Sequence, residues 1–363
     1  MLAALQGGDV VMGVALRELV RSGNDRQLEG IARLRGAAVY LPATVLSSED
    51  LEARVRAGSP GVTIPRGSVR RISGVKSRHI AGDDEQTSDL ASAAARVSLA
   101  RADVDRKDVD ALIFAAASQD LTEPATANIV QEKLGTSCPV FDIKNACNSF
   151  LCGLQVAEAL IATGQYHNVL VASGEIPSRG IKWSVRDFDD FRLSFAGYTL
   201  GDAGAAALVS GTDDHRGIFY RKFHTESRFW NIGTVPGGGS MHPRGDEWTY
   251  FVGDGTRIGA AVASIGPGIF HDALRETGTT IHDYARVLVH QVTMPFLKAF
   301  CATTGVPMNK LIITLPALGN MASASMPVQL ALAEARGEVR PGDLVAWVGM
   351  ASGISLGVML MEL

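Results

Sequence analysis

The chain has no paired cysteines. Its four, Cys138, Cys147, Cys152 and Cys301, show neither a CxxC pair nor metal-ligand spacing. No secretory signal is legible, so this usage argues against a disulfide framework and indicates reduced thiols in a cytoplasmic protein. A strong charge of one sign is also lacking. A net charge of −4 gives no electrostatic footprint for nucleic acid or a membrane surface. No apolar run is long enough to cross a bilayer, and the mildly apolar start is broken by Asp9, Arg17 and Glu18. Pro236-Gly237-Gly238-Gly239 is not followed by Gly-Lys-Ser/Thr, so it reads as a flexible segment near a pocket mouth rather than a phosphate loop. Asp187, Asp189 and Asp190 read as a solvated loop, and His224, His242 and His271 lack ligand spacing. No metal is expected.

What the chain does have is glycine and small apolar residues. Thirty-nine glycines, 46% hydrophobic residues and only 20% charged residues in 363 describe a large buried core with tight strand-to-helix turns. Residues 1–33 read as an N-terminal extension. Beyond them, strand candidates at 109–115, 140–143, 169–172, 205–210, 287–290, 311–314, 344–348 and 355–361 alternate with helix candidates at 88–99, 126–134, 150–163, 294–304 and 324–336. That alternation predicts an α/β architecture.

The alternation is also internally repeated. In residues 34–215, a strand at Ala111 leads to a helix ending at Gly135, a strand-turn-helix around Cys147, then Gly164 and a strand from Asn168. In residues 216–363, a strand ending at His290 leads to a helix ending at Gly305, a turn at Gly319-Asn320, a small-residue helix, then Gly337 and a strand from Leu344. The spacing predicts two fused, similar α/β units, with Asn320 at the turn that Cys147 occupies in the first. Asp202, in Gly201-Asp202-Ala203-Gly204, reads as a structural turn residue, and Cys152 as core.

Cys147 carries the most chemistry. The segment Val140–Ile143 is apolar and extended, and Leu151, Leu154, Ala157, Leu160 and Ile161 then recur at helical spacing. A thiol at the first turn of a helix faces free N–H groups and the positive end of the helix dipole, both of which favour the thiolate. A lone cysteine is more often a small core residue, a histidine ending a strand more often structural, and an asparagine after glycine more often turn chemistry. Cys147, His290 and Asn320 at equivalent ends of repeated units, however, form a Cys/His/Asn set facing one pocket.

These residues carry a family resemblance. The chain resembles the thiolase superfamily and, within it, condensing enzymes of the ketoacyl synthase III type. The matching elements are Gly74-Val75-Lys76-Ser77-Arg78-His79-Ile80, Asn145-Ala146-Cys147, Leu200-Gly201-Asp202-Ala203-Gly204, Val289-His290-Gln291, Leu318-Gly319-Asn320 and Gly353-Ile354-Ser355-Leu356-Gly357, in the family's order from about residue 31 onward. The resemblance implies a five-layered α/β/α/β/α fold of two duplicated halves and a homodimer. It implies that Cys147 takes an acyl group from a thioester. His290 and Asn320 then stabilise the enolate of a second thioester. Backbone N–H groups of Cys147 and of the Ser352–Gly353 turn form the acyl oxyanion hole. No permanent cofactor is implied; coenzyme A or the phosphopantetheine of an acyl carrier protein carries the substrate. The function so implied is that of a 3-oxoacyl synthase III-like acyltransferase in fatty acid, polyketide or related biosynthesis. An acyltransferase to oxygen or nitrogen, and a non-catalytic subunit of a condensing complex, are the alternatives.

Three departures refine this expectation. The family's triple glycine is Ala351-Ser352-Gly353 here, which changes pocket shape while keeping the backbone donors. Glu123, in Leu121-Thr122-Glu123-Pro124, stands where many such enzymes have phenylalanine in the loop that crosses the dimer. It resembles olefin-pathway enzymes that join two fatty acyl thioesters head to head, in which a partner's glutamate removes the α-proton. Where no CO₂ leaves, a base is required. Finally, the tryptophan/arginine clamp on coenzyme A is replaced by Ser68-Val69-Arg70-Arg71-Ile72, leaving Arg70 and Arg71 as the candidate phosphate contacts.

Overall fold

The strands alternate between two buried faces, and that alternation builds layers. The computed structural model describes residues 30–363. In the first half, β1 (Ala32–Tyr40) is followed by an antiparallel pair, β2 (Thr44–Ser47) and β3 (Ser77–Ile80), which encloses α1 (Ser48–Gly58) and α2 (Ser68–Ser73). Then come α3 (Thr87–Ala102), β4 (Ala111–Ala115), α4 (Thr126–Leu134), β5 (Val140–Ile143), α5 (Ser149–Ala162), β6 (Asn168–Glu175), α6 (Phe188–Ser194) and β7 (Ala203–Gly211). The second half runs β8 (Ile218–Thr225), the short pair β9 (Gly233–Thr234) and β10 (Val252–Gly253), α7 (Gly255–Ile265) and α8 (Gly268–Thr277). It closes with β11 (Tyr284–Val289), α9 (Met294–Thr304), the single turn α10 (Leu315–Leu318), α11 (Ser325–Ala335), β12 (Leu344–Ala351) and β13 (Ser355–Glu362).

Two sheets result, ordered β1-β7-β6-β4-β5 and β8-β13-β12-β11. In the first, β5, β4 and β6 run parallel and β7 and β1 pair antiparallel; in the second, the edge strand β11 is parallel to β12, and β13 and β8 pair antiparallel. Side chains of successive strand residues point to opposite faces. Thus Ala111, Ile113 and Ala115 of β4 pack on the central helices α5 and α11, while Leu112 and Phe114 pack outward on α3 and α4. In the second sheet, Val345 and Trp347 of β12 face the same central layer, and Ala346 faces α8 and α9. The order is helices, sheet, helices, sheet, helices, and the five-layered expectation holds. Phe150 of α5 stacks on Trp347 of β12, centroids 6.3 Å apart, joining the halves across that layer.

The expected strand at 311–314 does not form. It leaves one bridge, Val287 to Leu311, because the side chain of Gln291 takes the place of a neighbouring strand. Gln291 donates to the Ile312 carbonyl (2.6 Å) and accepts from the N–H groups of Thr314 (3.1 Å) and Leu315 (3.0 Å). Most of the expected N-terminal extension lies outside the described residues, and β1 already begins at Ala32.

The central helices carry matching acids, the buried Glu158 on α5 and the half-buried Glu334 on α11, each nine residues after its helix's first serine. Burial raises both carboxyls from 4.5 to about 7; Arg221, 3.0 Å from Glu158, and Arg101, acting on Glu334, oppose the shift only in part. A folded-state pKa above the unfolded value means that the native state holds its proton more tightly. Stability therefore falls as pH climbs from 4.5 through 7. Glu158→Gln is expected to raise unfolding free energy above pH 7 by about 1–3 kcal/mol. Urea titrations at two pH values check this: the gain should vanish well below pH 4.5, and an equal gain at both would contradict it.

Candidate active site

Between β5 and α5 the chain turns sharply. Ala146 has φ 46°, a left-handed conformation disfavoured for any residue with a Cβ, so Cys147 sits at the tip of a strained strand-to-helix elbow. Ser149 Oγ closes the turn, accepting from the Asn145 N–H (2.8 Å) and donating to the Ala146 carbonyl (2.7 Å). Asn148 and Asn145 then moor it to the start of β13. Asn148 Nδ2 donates to the Ser355 carbonyl (3.0 Å) and hydroxyl (3.1 Å), and Asn145 Nδ2 to the same hydroxyl (3.2 Å). A Cβ at Gly349 would fall 2.1 Å from Asn148 Oδ1, so glycine is required there.

The expected resting thiolate is not what this elbow favours. Burial, and secondarily the negative charge of Glu175, push the Cys147 thiol up to about 12. Helix α5 starts only at Ser149, so the thiol lies before its first turn and desolvation dominates. Cys147 is a thiol at neutral pH. Its alkylation by iodoacetamide in the free enzyme is expected to rise about tenfold per pH unit from 7 to 9, following the thiolate fraction. Peptide mapping would follow this cysteine alone, and a rate that levels off below pH 8.5 would contradict the assignment.

His290 follows β11 directly and is 2% exposed. Burial lowers its ring to about 4, and Nδ1 has no hydrogen-bond partner among the described residues. The imidazole is therefore neutral, with one N–H to donate and one nitrogen to accept. Asn320 is held at both ends of its peptide unit. Its N–H donates to Thr199 (2.8 Å), and its carbonyl accepts from Gly201 (3.0 Å). The side-chain Oδ1 accepts from the Ala322 N–H (3.0 Å), which fixes the amide orientation and leaves Nδ2 as the available donor.

The pairing of Asn320 with Cys147 across the repeat needs correction. Ala322 also has φ 46°, and Ala324 and Ser325 bond back to Met321 and Ala322 as Asn148 and Ser149 do to Asn145 and Ala146. The residue equivalent to Cys147 is therefore Ser323, and Asn320 lies three residues earlier. A backbone dihedral on an alanine sets this register, and residue identity does not reveal it.

Glu175 went unnoticed in the sequence, where the only signal is an acid ending an apolar strand. It is fully buried. Its carboxylate accepts from the N–H groups of Ala117 (2.7 Å), Ser118 (3.0 Å) and Ser323 (3.2 Å) and from the Ser323 hydroxyl (2.5 Å). It thus ties the loop after β4 to the second elbow. Convergence follows from two further links. The His290 backbone N–H donates to the Val348 carbonyl (3.1 Å) of β12, and the next residue of that strand, Gly349, is the one packed on Asn148.

A largely apolar cavity of about 820 Å³ is walled by α6, α7, α8 and α9, with Phe191, Phe195, Val262, Phe296 and Met350 among its lining; Cys147, His290 and Asn320 do not line it themselves. Thr199, Val289 and Gly349, the neighbours that hold or adjoin Asn320, His290 and the Cys147 elbow, also line it. The charged residues of its lining are Arg192 and Asp254, already paired at 3.1 Å.

Other expected residues lie elsewhere. Glu123 is exposed on the loop between β4 and α4 and does not line the cavity. Arg70 and Arg71 are exposed on α2, whose Ile72 lines the cavity in their stead. Ser352 and Gly353 form the turn between β12 and β13, with Gly353 at φ 133° and a cis peptide to Ile354. Asp187 caps α6, and Asp190 pairs with Lys182 at 2.8 Å. Asp202 is structural, accepting from Ala81 and Ser178. Gly237 and Gly238 bond to the carbonyls of Trp248 and His242 and do not line the cavity. Among the described residues no group of His, Cys, Asp or Glu is placed to hold a metal ion, and no helix is long and apolar enough to cross a membrane.

Comparison with known proteins extends this picture. The family model for 3-oxoacyl-(acyl-carrier-protein) synthase III matches residues 141–227, and that for its C-terminal part matches residues 274–363. The beta-ketoacyl-(acyl-carrier-protein) synthase III of Cereibacter sphaeroides is 33% identical over 338 residues, covering 91% of this chain and 98% of the relative. That of Neisseria gonorrhoeae is 31% identical, covering 91% and 99%. Among solved structures, 3-oxoacyl-(acyl-carrier-protein) synthase III from Aquifex aeolicus superposes with TM-score 0.80 at 25% identity, covering 92% of this chain and all of that one. Xanthomonas campestris OleA, solved with bound lauric acid and lauroyl-CoA, superposes with TM-score 0.83 at 24% identity, covering 92% and 99%.

Proposed function

The chain belongs to the 3-oxoacyl-(acyl-carrier-protein) synthase III family of condensing enzymes, and on that premise we propose that it joins two acyl thioesters through Cys147. The observation that carries this reading is an apolar cavity of about 820 Å³ lined by Gly349, Val289 and Thr199, the residues that pack on the Cys147 elbow, precede His290 and hold the Asn320 backbone. Pockets of roughly 300–1,000 Å³ hold ligands of substrate size, and apolar walls suit an acyl chain.

In the first step the Cys147 sulfur attacks the thioester carbonyl. The carrier's sulfur leaves as its thiol, taking up the proton that Cys147 loses. Backbone N–H groups of Cys147 and of the Ser352–Gly353 turn receive the developing oxyanion. In the second step the incoming thioester loses its α-proton, or CO₂ if it is malonyl-linked. The ring N–H of His290 and Nδ2 of Asn320 donate to its enolate oxygen. The carbanion attacks the acyl carbon, the Cys147 sulfur departs and is reprotonated, and a 3-oxoacyl thioester leaves. A neutral His290 suits this role: it donates without adding a buried charge.

Glu123 is assigned the α-proton, acting from a second copy of the chain. Among the described residues strand β5 pairs on one side only, with β4, and an unpaired edge is a template for another strand. Asp142 of β5 caps α4 through the N–H groups of Thr126 and Ala127, both at 2.8 Å, so the Glu123 loop is moored beside that edge. Pairing of two copies along β5 would carry each loop toward its partner. Coenzyme A or a carrier protein's phosphopantetheine would deliver the acyl groups.

The test is incubation with acetyl-, octanoyl- and lauroyl-coenzyme A, followed by intact-mass measurement and product analysis. A Cys147 adduct and a 3-oxoacyl product are expected. Acylation of an added alcohol or amine, with no 3-oxoacyl product, would overturn condensation.

A further inference from the structure

The Gly74–Ile80 motif has no part in the steps above, yet β3 lies between the two segments that hold Asn320. On one side it is stitched to α10: the Lys76 N–H donates to the Pro316 carbonyl (2.8 Å) and the Ser77 hydroxyl to that of Ala317 (3.0 Å). On the other, the His79 carbonyl accepts from the Asp202 N–H (2.9 Å). Between them Arg78 is fully buried. Its Cβ occupies the angle between two glycines: a Cβ at Gly201 would sit 2.8 Å from it, and one at Gly319 3.3 Å. Gly319 precedes Asn320, and the Gly201 N–H is the donor to the Asn320 carbonyl. Nη2 of Arg78 donates to the Tyr198 carbonyl (2.7 Å), and the next carbonyl, that of Thr199, receives the Asn320 N–H.

A guanidinium is a costly choice if its role is only to fill space. Nε and Nη1 have no hydrogen-bond partner among the described residues. Burial lowers the group to about 10, with Glu52 opposing the shift, so it stays charged at neutral pH. The Glu52 carboxylate itself accepts from the N–H groups of Gly67 and Val69, both at 2.7 Å. Methionine would fill similar space with no buried charge, and such replacements are often neutral or stabilising. What methionine lacks is a donor for the Tyr198 carbonyl.

We propose that Arg78 is a positioning residue for the condensation step, fixing the Asn320 amide through the Tyr198–Gly201 segment. The inference rests on the condensing reading above and adds a residue to its second step. Asn320 Nδ2 has to meet the enolate oxygen, and a misplacement of about 1 Å costs about 10²-fold in rate. Acylation of Cys147 precedes the enolate and does not use that amide.

The experiment follows both half-reactions in Arg78→Met, Arg78→Lys, Asn320→Ala and the two double variants. Octanoyl-coenzyme A is the donor. Malonyl-coenzyme A is the acceptor, because it makes its enolate by losing CO₂ and leaves Glu123 out of the readout. Cys147 acylation, followed by intact mass, is expected at the unsubstituted rate throughout. The kcat for the 3-oxoacyl product should fall about 10²-fold in Arg78→Met, with KM for malonyl-coenzyme A unchanged. Arg78→Lys keeps the charge and a donor but not the planar fork, and should lose about tenfold. In the Asn320→Ala background neither substitution should reduce the residual rate further, since Arg78 acts through that amide. Arg78→Lys keeps the test valid if Arg78→Met fails to fold. Equal losses in both half-reactions, losses that add to that of Asn320→Ala, or an unchanged condensation rate overturn the inference alone. An unsubstituted enzyme that gives no 3-oxoacyl product overturns the condensing reading and this inference with it.

Discussion

Cys147→Ala is expected to abolish condensation, with turnover falling by about 10⁴-fold or more and no acyl adduct at any probe length. The expectation rests on the elbow. Its strain at Ala146, its moorings to Ser355 and the glycine required at 349 together hold one side chain at one place. Alanine fits the same backbone, so the fold and the cavity should persist, and an unchanged melting temperature would separate chemistry from stability. The pattern of loss is informative. Cys147→Ala should still bind a thioester, since cavity and donors remain, so a fluorescent or radiolabelled acyl-coenzyme A should associate without being cleaved. Full activity in the alanine variant would mean that acyl transfer runs elsewhere. It would favour a chain that supports an active partner over one that catalyses.

Glu123→Ala is expected to separate the two half-reactions. Acylation of Cys147 needs no base at the α-carbon, so the adduct should form at the unsubstituted rate. Carbon–carbon bond formation between two non-malonyl thioesters should fall by about 10²–10⁴-fold. Glu123→Gln should behave alike, since it keeps the shape and loses the base, and Glu123→Asp should retain part of the rate. A malonyl-linked acceptor, which generates its carbanion by losing CO₂, should be far less sensitive. Because Glu123 is exposed in the single chain, its role also requires a second copy. Mixing Glu123→Ala with Cys147→Ala chains is then expected to restore some activity in exchanged dimers. Condensation of non-malonyl thioesters at full rate in Glu123→Ala would remove this residue from the site.

Much of the molecule was legible in the residue order. The strand expected at 109–115 forms as Ala111–Ala115, because a short continuous apolar run suits a strand buried on both faces. The helices at 126–134 and 294–304 appeared at their observed bounds: Gly135 and Gly305 follow them, and glycine ends a helix most readily. The antiparallel strands β1 and β8 and the insertion of α1 and α2 between β2 and β3 were not recovered. Their patterning is mixed, and only pairing across the sheet defines them.

While the five layers came with the family resemblance, residue identity and spacing predicted the α/β class and the duplication and singled out Cys147, His290 and Asn320 as candidates. These are local properties, set by period, turn chemistry and side-chain type. Tertiary structure decided the rest, because each remaining question turns on groups distant in sequence. It placed Ser323 rather than Asn320 opposite Cys147, through a backbone angle at Ala322. It made Cys147 a thiol, since burial and the charge of Glu175 outweigh a helix that starts too late to help. It replaced an expected strand with the side chain of Gln291. It set Glu123 on the surface and outside the cavity lining, a matter of how the loop after β4 packs and not of residue order.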